Sequence, residues 1–265
     1  MGTSASRITI KSSREIELMR AAGRVVFRVL EELGRMVRPG VTTAELDAHA
    51  DEIIRQAGAT ALFKGVVNPD ARFPFPACIC ASVNEQVVHG IPNDRPLADG
   101  DIVSIDCGVR LKGYCGDAAR TFAVGSVPAK AQRLLDVTRE ALDVAVREVR
   151  PGRRWSEIAK LMQACVEREG FGVVRKYVGH GIGQEMHEEP KIPNYWERGQ
   201  RDADFELQPG MVLAVEPMVT AGRHDVMAGD ATGWPVVTRD GSLAAHFEHD
   251  IAVTADGRDV LTDGR

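Results

Sequence analysis

Ile16, Met19, Val26, Leu30, Leu33 and Val37 recur at the spacing of one helical face. The stretch opens on Ser12 and Glu15, which stand at capping-box spacing, and stops at Pro39-Gly40. A second helix is predicted from Thr42, with Glu45 in the matching box position, to Gly58. The passage then returns. A helix is predicted over about 128–149, Val37-Arg38-Pro39-Gly40 reappears as Val149-Arg150-Pro151-Gly152, Glu45-Leu46 as Glu157-Ile158, and Gly58 as Gly170. Matches in one register and one structural context read as an internal duplication, with a period too long for a solenoid. Short apolar runs bounded by turn signals predict strands at 78–83, 101–107, 109–114 and 119–124. The second half offers 173–179, 211–216, 234–238 and 247–254. Segments 63–77, 190–206 and 221–233 read as irregular. Helix pairs followed by runs of strands predict an α+β architecture, with helices covering one face of an antiparallel sheet. No Pro/Ser-rich linker divides the chain. The expectation is a flexible segment 1–11 followed by one domain, 12–265, of pseudo-symmetric halves at about 12–125 and 126–258.

Composition narrows the function. The chain has 265 residues, 44% hydrophobic and 27% charged, which is ordinary globular material. A net charge of −5 counts against a stable nucleic-acid partner. No apolar run approaches the roughly 18 residues of a membrane span. The start MGTSASRITIKSSRE lacks the apolar core of a secretion signal. Five cysteines, with no CxxC pair, read as reduced thiols of a cytoplasmic protein and offer no cysteine zinc site.

The duplication extends to the acids. LADGDIVSID, ending in Asp106, resembles LQPGMVLAVE, ending in Glu216. Each half presents a histidine, an acid and another acid in order: His89, Asp106 and Asp117, then His180, Glu216 and Glu248. Folding the halves together gathers four carboxylates. They must share protons, as a carboxyl dyad does, or be neutralised by cations. Four carboxylates balance two divalent ions, and a carboxylate-rich set favours Mn, Fe(II) or Co(II), with Zn also possible. Two ions about 3.5–4 Å apart can share a water, lower its pKa and polarise a substrate oxygen, which is a hydrolase design. Singly, each acid has a plainer reading. Asp117 after Gly116 suits a turn, and Glu216 before Pro217 suits a strand end. The duplicated placement favours the joint reading.

Five segments carry a resemblance: NEQVVHGIP (84–92), SIDCGVRLKGYCGDAARTF (104–122), GHGIGQEMHEEP (179–190), EPM (216–218) and GWPVVTRDGSLAAHFEHDIAVT (233–254). In this order they resemble the bacterial type I methionine aminopeptidases. The resemblance implies the pita-bread fold and a two-ion centre held by Asp106, Asp117, His180, Glu216 and Glu248. Asp117 and Glu248 would bridge the ions, with His180 completing one and Asp106 the other. It removes His89 from the ligands and makes it a catalytic residue at the scissile amide. The implied reaction is removal of the initiator methionine from nascent polypeptides with a small second residue, by a hydroxide bridging the ions. Glu216 would move the proton and His187 would donate to the carbonyl oxygen. The implied protein is a cytoplasmic monomer whose partners are peptide N-termini, with transient ribosome contact and no membrane.

Alignment places Phe75, Cys80, Met186 and Trp234 around the methionine, although each also suits a core. The segment 63–82 departs from the tyrosine-bearing loop of the family. Phe75 stands for a tyrosine and Met186 for an aromatic residue. His49 and His224 read as surface residues, and His246 and His249 flank Glu248, which the alignment selects alone. The alternatives are an Xaa-Pro aminopeptidase of the same fold, which would carry a further N-terminal domain, and a binding module without metal, which would show eroded ligands.

Overall fold

A computed structural model of the chain describes residues 8–265, so the reading of the extreme N-terminus, residues 1–7, lies outside the described residues. Both expected capping boxes close. The Ser12 hydroxyl accepts from the N–H of Glu15, whose carboxylate takes the N–H of Ser12, and α1 (Ser13–Met36) begins there. Thr42 and Glu45 start α2 (Thr43–Gln56) in the same way. Each such cap contributes about 1 kcal/mol. The first half continues with β1 (Thr60–Ala61), β2 (Cys80–Val83), β3 (Gln86–Val88), β4 (Ile102–Leu111) and β5 (Tyr114–Ala123). The second half opens on α3 (Ala129–Glu148) and α4 (Trp155–Glu167). Then come β6 (Gly172–Val173), β7 (Gly179–Gly181), β8 (Glu188–Ile192), β9 (Val212–Val215) and β10 (Met218–Thr220). Last are β11 (Val226–Ala228), β12 (Val236–Thr238), β13 (Ala244–His246), β14 (His249–Val253) and β15 (Arg258–Val260).

The repeat is visible in the backbone. Val37 and Val149 close their helices with N–H bonds to Leu33 and Ala145. Gly40 then donates to the Leu97 carbonyl at 2.8 Å, and Gly152 donates to the Leu207 carbonyl at 2.9 Å. The VRPG break therefore does one job twice, tying the end of a long helix to the segment that leads into an acid-bearing strand. Strand pairing is antiparallel throughout. β1, β2 and β5 join β4 in one sheet, and a five-stranded sheet runs β15-β14-β9-β7-β8. Two three-stranded sheets, β13-β10-β6 and β11-β12-β3, complete the set. The apolar face of α1, with Val26, Leu30 and Leu33, packs on Val103, Ile105 and Ala118 of the first sheet. Leu142, Trp155 and Ile158 pack on Leu213, Val215 and Ile251 in the second half. All five cysteines are buried and unbridged.

Several strands differ from the expected ones. The break expected at Gly108 does not occur, because β4 runs unbroken to Leu111. The turn comes at Lys112-Gly113, with φ of 51° and 84°. Two successive positive values give the hairpin twist that matches the flanking strands. Asp117 consequently lies inside β5, opposite Gly108, and not in a turn. Of the expected 173–179 only Val173 is in a strand before β7, whereas β8 extends into the segment read as irregular. β10, β11 and β15 are three-residue strands, too short for alternation to register.

Two contacts fasten the halves around the acids. Lys11, 5% exposed, donates its N–H to Gly210 and its ammonium to Glu188. Fully buried Asp250 accepts the N–H of Asp117 at 2.9 Å, tying β14 to β5. Asp250→Leu leaves that N–H buried and unpaired, at a cost of about 1–3 kcal/mol, whereas Asp250→Asn keeps an acceptor. Urea unfolding of chelator-treated protein is expected to show a lower midpoint for the leucine variant alone.

Candidate active site

Every residue the sequence nominated borders one cavity of about 250 Å³ between the halves. The acids reach it from separate strands. Asp106 lies on β4 and pairs across to Cys80 on one side and Ala119 on the other. Asp117 lies on the neighbouring β5, 2% exposed. Gly108 opposite it leaves room, since a Cβ there would stand 3.3 Å from the Asp117 carboxylate and 3.1 Å from the Phe63 ring and press both aside by a few tenths of an ångström. Glu216 follows β9 directly, and the Asn194 side chain holds its carbonyl at 3.0 Å. Glu248 sits between β13 and β14, where its N–H donates to Ala119 of β5 at 2.9 Å. This bond sets a second-half acid beside a first-half strand.

The ligand atoms of Asp117, His180 and Glu248 all lie within 4.8 Å of one another. Asp106 and Glu216 flank this triad on the cavity wall. One oxygen each of Asp106, Asp117 and Glu248 is buried without a hydrogen-bond partner. Burial pushes the carboxyl groups of Asp106, Asp117, Glu216 and Glu248 upward, and the other acids add to this for Asp106, Glu216 and Glu248. Among the described residues, the cavity lining contains no lysine or arginine. The imidazoles do not supply the missing charge. Burial, with some repulsion from His187, lowers His180 and His89 to about 4. Burial lowers His246 to about 3. Four acids, the neutral rings of His180 and His89, and no basic side chain among the described lining residues make a cradle for divalent metal.

The histidines divide by position. The His180 ring lies edge-on to His187, with centroids 4.4 Å apart, and its Nδ1 meets the Gly181 carbonyl at 3.0 Å. That contact leaves Nε2 toward the acids, 3.6 Å from Glu216 Oε1. His89 follows β3 in the left-handed region, at φ 60°, and stands edge-on to both Tyr177 and Trp234. Such backbone strain is held where a side chain must be aimed. His249 turns away and bonds Thr262 at 2.8 Å. His246, which the alignment passed over, faces Glu216 and Glu248.

The far end of the cavity is apolar. Phe75 meets Trp234 edge-on at 5.0 Å, and Cys80, Phe63 and Met186 complete the cluster. Two irregular segments brace it. The Trp234 indole donates to the Phe73 carbonyl at 2.8 Å, and the N–H of Arg72 donates to the Thr232 carbonyl at 2.9 Å. The sequence did not nominate Phe63, Val66, Val88, Tyr177 or Val178, which also line the cavity. Tyr177 stood close to His180 as a signal, but Phe63 and Val66 lie in a segment without periodicity.

The model of Metallopeptidase family M24 matches residues 17–255. Methionine aminopeptidase 1 of Bacillus subtilis (strain 168) is 49% identical over 255 residues, covering 96% of this chain and 99% of that protein. A crystal structure of methionine aminopeptidase from Rickettsia prowazekii superposes with a TM-score of 0.89 at 40% identity, covering 97% of this chain and 100% of the other. An Xaa-Pro dipeptidase from Bacillus anthracis shares the fold at a TM-score of 0.73 and 25% identity. It matches 97% of this chain but only 62% of its own. With its acids, histidine and repeat disposed as described, the chain belongs to the M24 metallopeptidases, hydrolases of the pita-bread fold that work with divalent metal.

Proposed function

We propose that the protein removes the N-terminal methionine from new polypeptides, with Asp106, Asp117, His180, Glu216 and Glu248 holding two divalent ions. The observation that carries this is the charge of the cavity: four carboxylates, Asp117 and Glu248 buried and Asp106 and Glu216 half-buried, with neutral imidazoles and no basic side chain among its described lining residues. Partnerless oxygens on three of the acids supply donor capacity of the right kind. Two divalent ions balance the four acids, and the donor set suits Mn, Fe(II), Co or Zn. Divalent metal held by these residues would supply a water of lowered pKa and polarisation of a carbonyl oxygen.

The chain's own residues do the rest. The apolar end, with Phe75, Cys80, Met186 and Trp234, takes the methionine side chain, whose thioether gains from aromatic edges. Filling that end sets the free amine of the substrate against the acids and the scissile bond between them and His89. Glu216, held at the end of β9 on the cavity wall, takes the proton of the attacking water and returns it to the leaving amine. His187 at the cavity wall donates to the carbonyl oxygen as charge develops on it. His89 contacts the amide nitrogen. The surroundings follow from this role: a cytoplasmic monomer that meets nascent N-termini, with transient ribosome contact. Among the described residues no helix is long and apolar enough to cross a membrane.

Release from Met-Ala-Ser, Leu-Ala-Ser and Ala-Pro-Ser tests the specificity. Cleavage of the methionyl peptide alone is expected, and cleavage of Ala-Pro-Ser would move the protein to the Xaa-Pro enzymes. The space beyond the methionine is also expected to be tight. Met-Ala-Ser is cleaved more than about tenfold faster than Met-Lys-Ser, measured as kcat/KM. Equal rates would refute the tight subsite.

A further inference from the structure

His246 is 2% exposed, and its Nε2 has no hydrogen-bond partner. A buried polar atom left unpaired costs about 1–3 kcal/mol, whether it donates or accepts. The ring is not loosely packed filler, because its backbone is clamped from the other half of the molecule. The N–H of His246 donates to the Thr121 hydroxyl at 2.8 Å. That hydroxyl donates back to the His246 carbonyl at 2.9 Å and lies 2.8 Å from Ser104. The clamp aims Nε2 at two acids from separate segments, Glu216 Oε2 at 3.7 Å and Glu248 Oε2 at 3.9 Å.

The two oxygens of Glu216 thus stand between two imidazoles, Oε1 toward His180 and Oε2 toward His246. His180 belongs to the close triad with Asp117 and Glu248, and His246 does not. His246 therefore stands behind the carboxylates. On Glu248 the oxygen nearest His246 is Oε2, while Oε1 is the buried oxygen without a partner. We infer that His246 is a positioning residue whose Nε2 fixes the outer oxygen of Glu216, leaving its other oxygen turned toward His180 and the metal side of the cavity.

This rests on the reading of Glu216 as a ligand, and adds a residue that supports it. Outer partners of ligating groups set ligand orientation, and losing one costs about 10–100-fold in metal affinity. The test uses two neutral amides of different reach. Gln at 246 places a donor near the position of Nε2, whereas Asn stops near that of Nδ1. Mn²⁺ is titrated calorimetrically into chelator-stripped unaltered protein, His246→Gln and His246→Asn, and each stripped protein is also unfolded thermally. His246→Asn is expected to bind Mn²⁺ about 10–100-fold more weakly, and His246→Gln to stay close to the unaltered protein, with similar unfolding of both. Equal affinity of the two variants, whether kept or lost, overturns the positioning role. So does failure of the Gln variant to fold, since it preserves the donor. If the unaltered protein takes no Mn²⁺, the ligand reading falls and this inference falls with it. Tight binding to the unaltered protein and to His246→Asn alike overturns this inference alone.

Discussion

Asp117→Asn is expected to lose metal and turnover together, while the metal-free fold is kept or stabilised. The backbone contribution of residue 117 survives, because its N–H still reaches Asp250. The variant loses one negative oxygen from a triad whose ligand atoms lie within 4.8 Å of one another. In metal-free protein this relieves repulsion, since Asp117 helps to push the carboxyl groups of Asp106, Glu216 and Glu248 upward. In loaded protein it removes an anionic donor. Metal at such a centre supplies several kcal/mol of transition-state stabilisation, so turnover falls about a thousandfold or more. Metal analysis after gel filtration, thermal unfolding of stripped protein and kcat on Met-Ala-Ser check the three parts. Normal turnover in Asp117→Asn would refute the ligand set.

His89→Ala is expected to keep its metal and lose turnover. The residue is a neutral ring edge-on to Tyr177 and Trp234, and the close triad of Asp117, His180 and Glu248 does not include it. Alanine meets the same steric cost at φ 60° as histidine, because both carry a Cβ, so the backbone is not released. Metal content is therefore unchanged. A group that hydrogen-bonds or transfers a proton at the scissile bond contributes about 10²–10⁴-fold, and kcat falls by that order with little change in bound metal. Loss of an ion in His89→Ala would restore the symmetric reading, in which each half contributes one histidine ligand.

What could be read from the sequence was local or repeated. Ser12 with Glu15 and Thr42 with Glu45 marked helix starts because a capping box needs only four residues. The VRPG break was legible because it occurs twice, and its paired bonds to Leu97 and Leu207 explain why. The strand around Asp117 was missed because Gly116-Asp117-Ala118 has no apolar alternation, and Lys112-Gly113 was not recognised as the hairpin turn. Phe63 and Val66 were missed because only the packing of segment 63–77 against 221–233 brings them to the cavity. For His246 the signal was present. His246 ends β13 two residues before Glu248, and its ring stands 3.9 Å from that carboxylate. Alignment weighed Glu248 alone and passed over its neighbour.

The central claim is that this carboxylate cradle works through divalent metal on a methionyl N-terminus. The most direct measurement is methionine release from Met-Ala-Ser by chelator-stripped protein, before and after Mn, Fe(II), Co or Zn is returned singly. The account predicts no release from stripped protein, recovery with at least one ion, and no recovery in Asp117→Asn with any of them. Full release by stripped protein, or none with any ion from a folded chain, would contradict it.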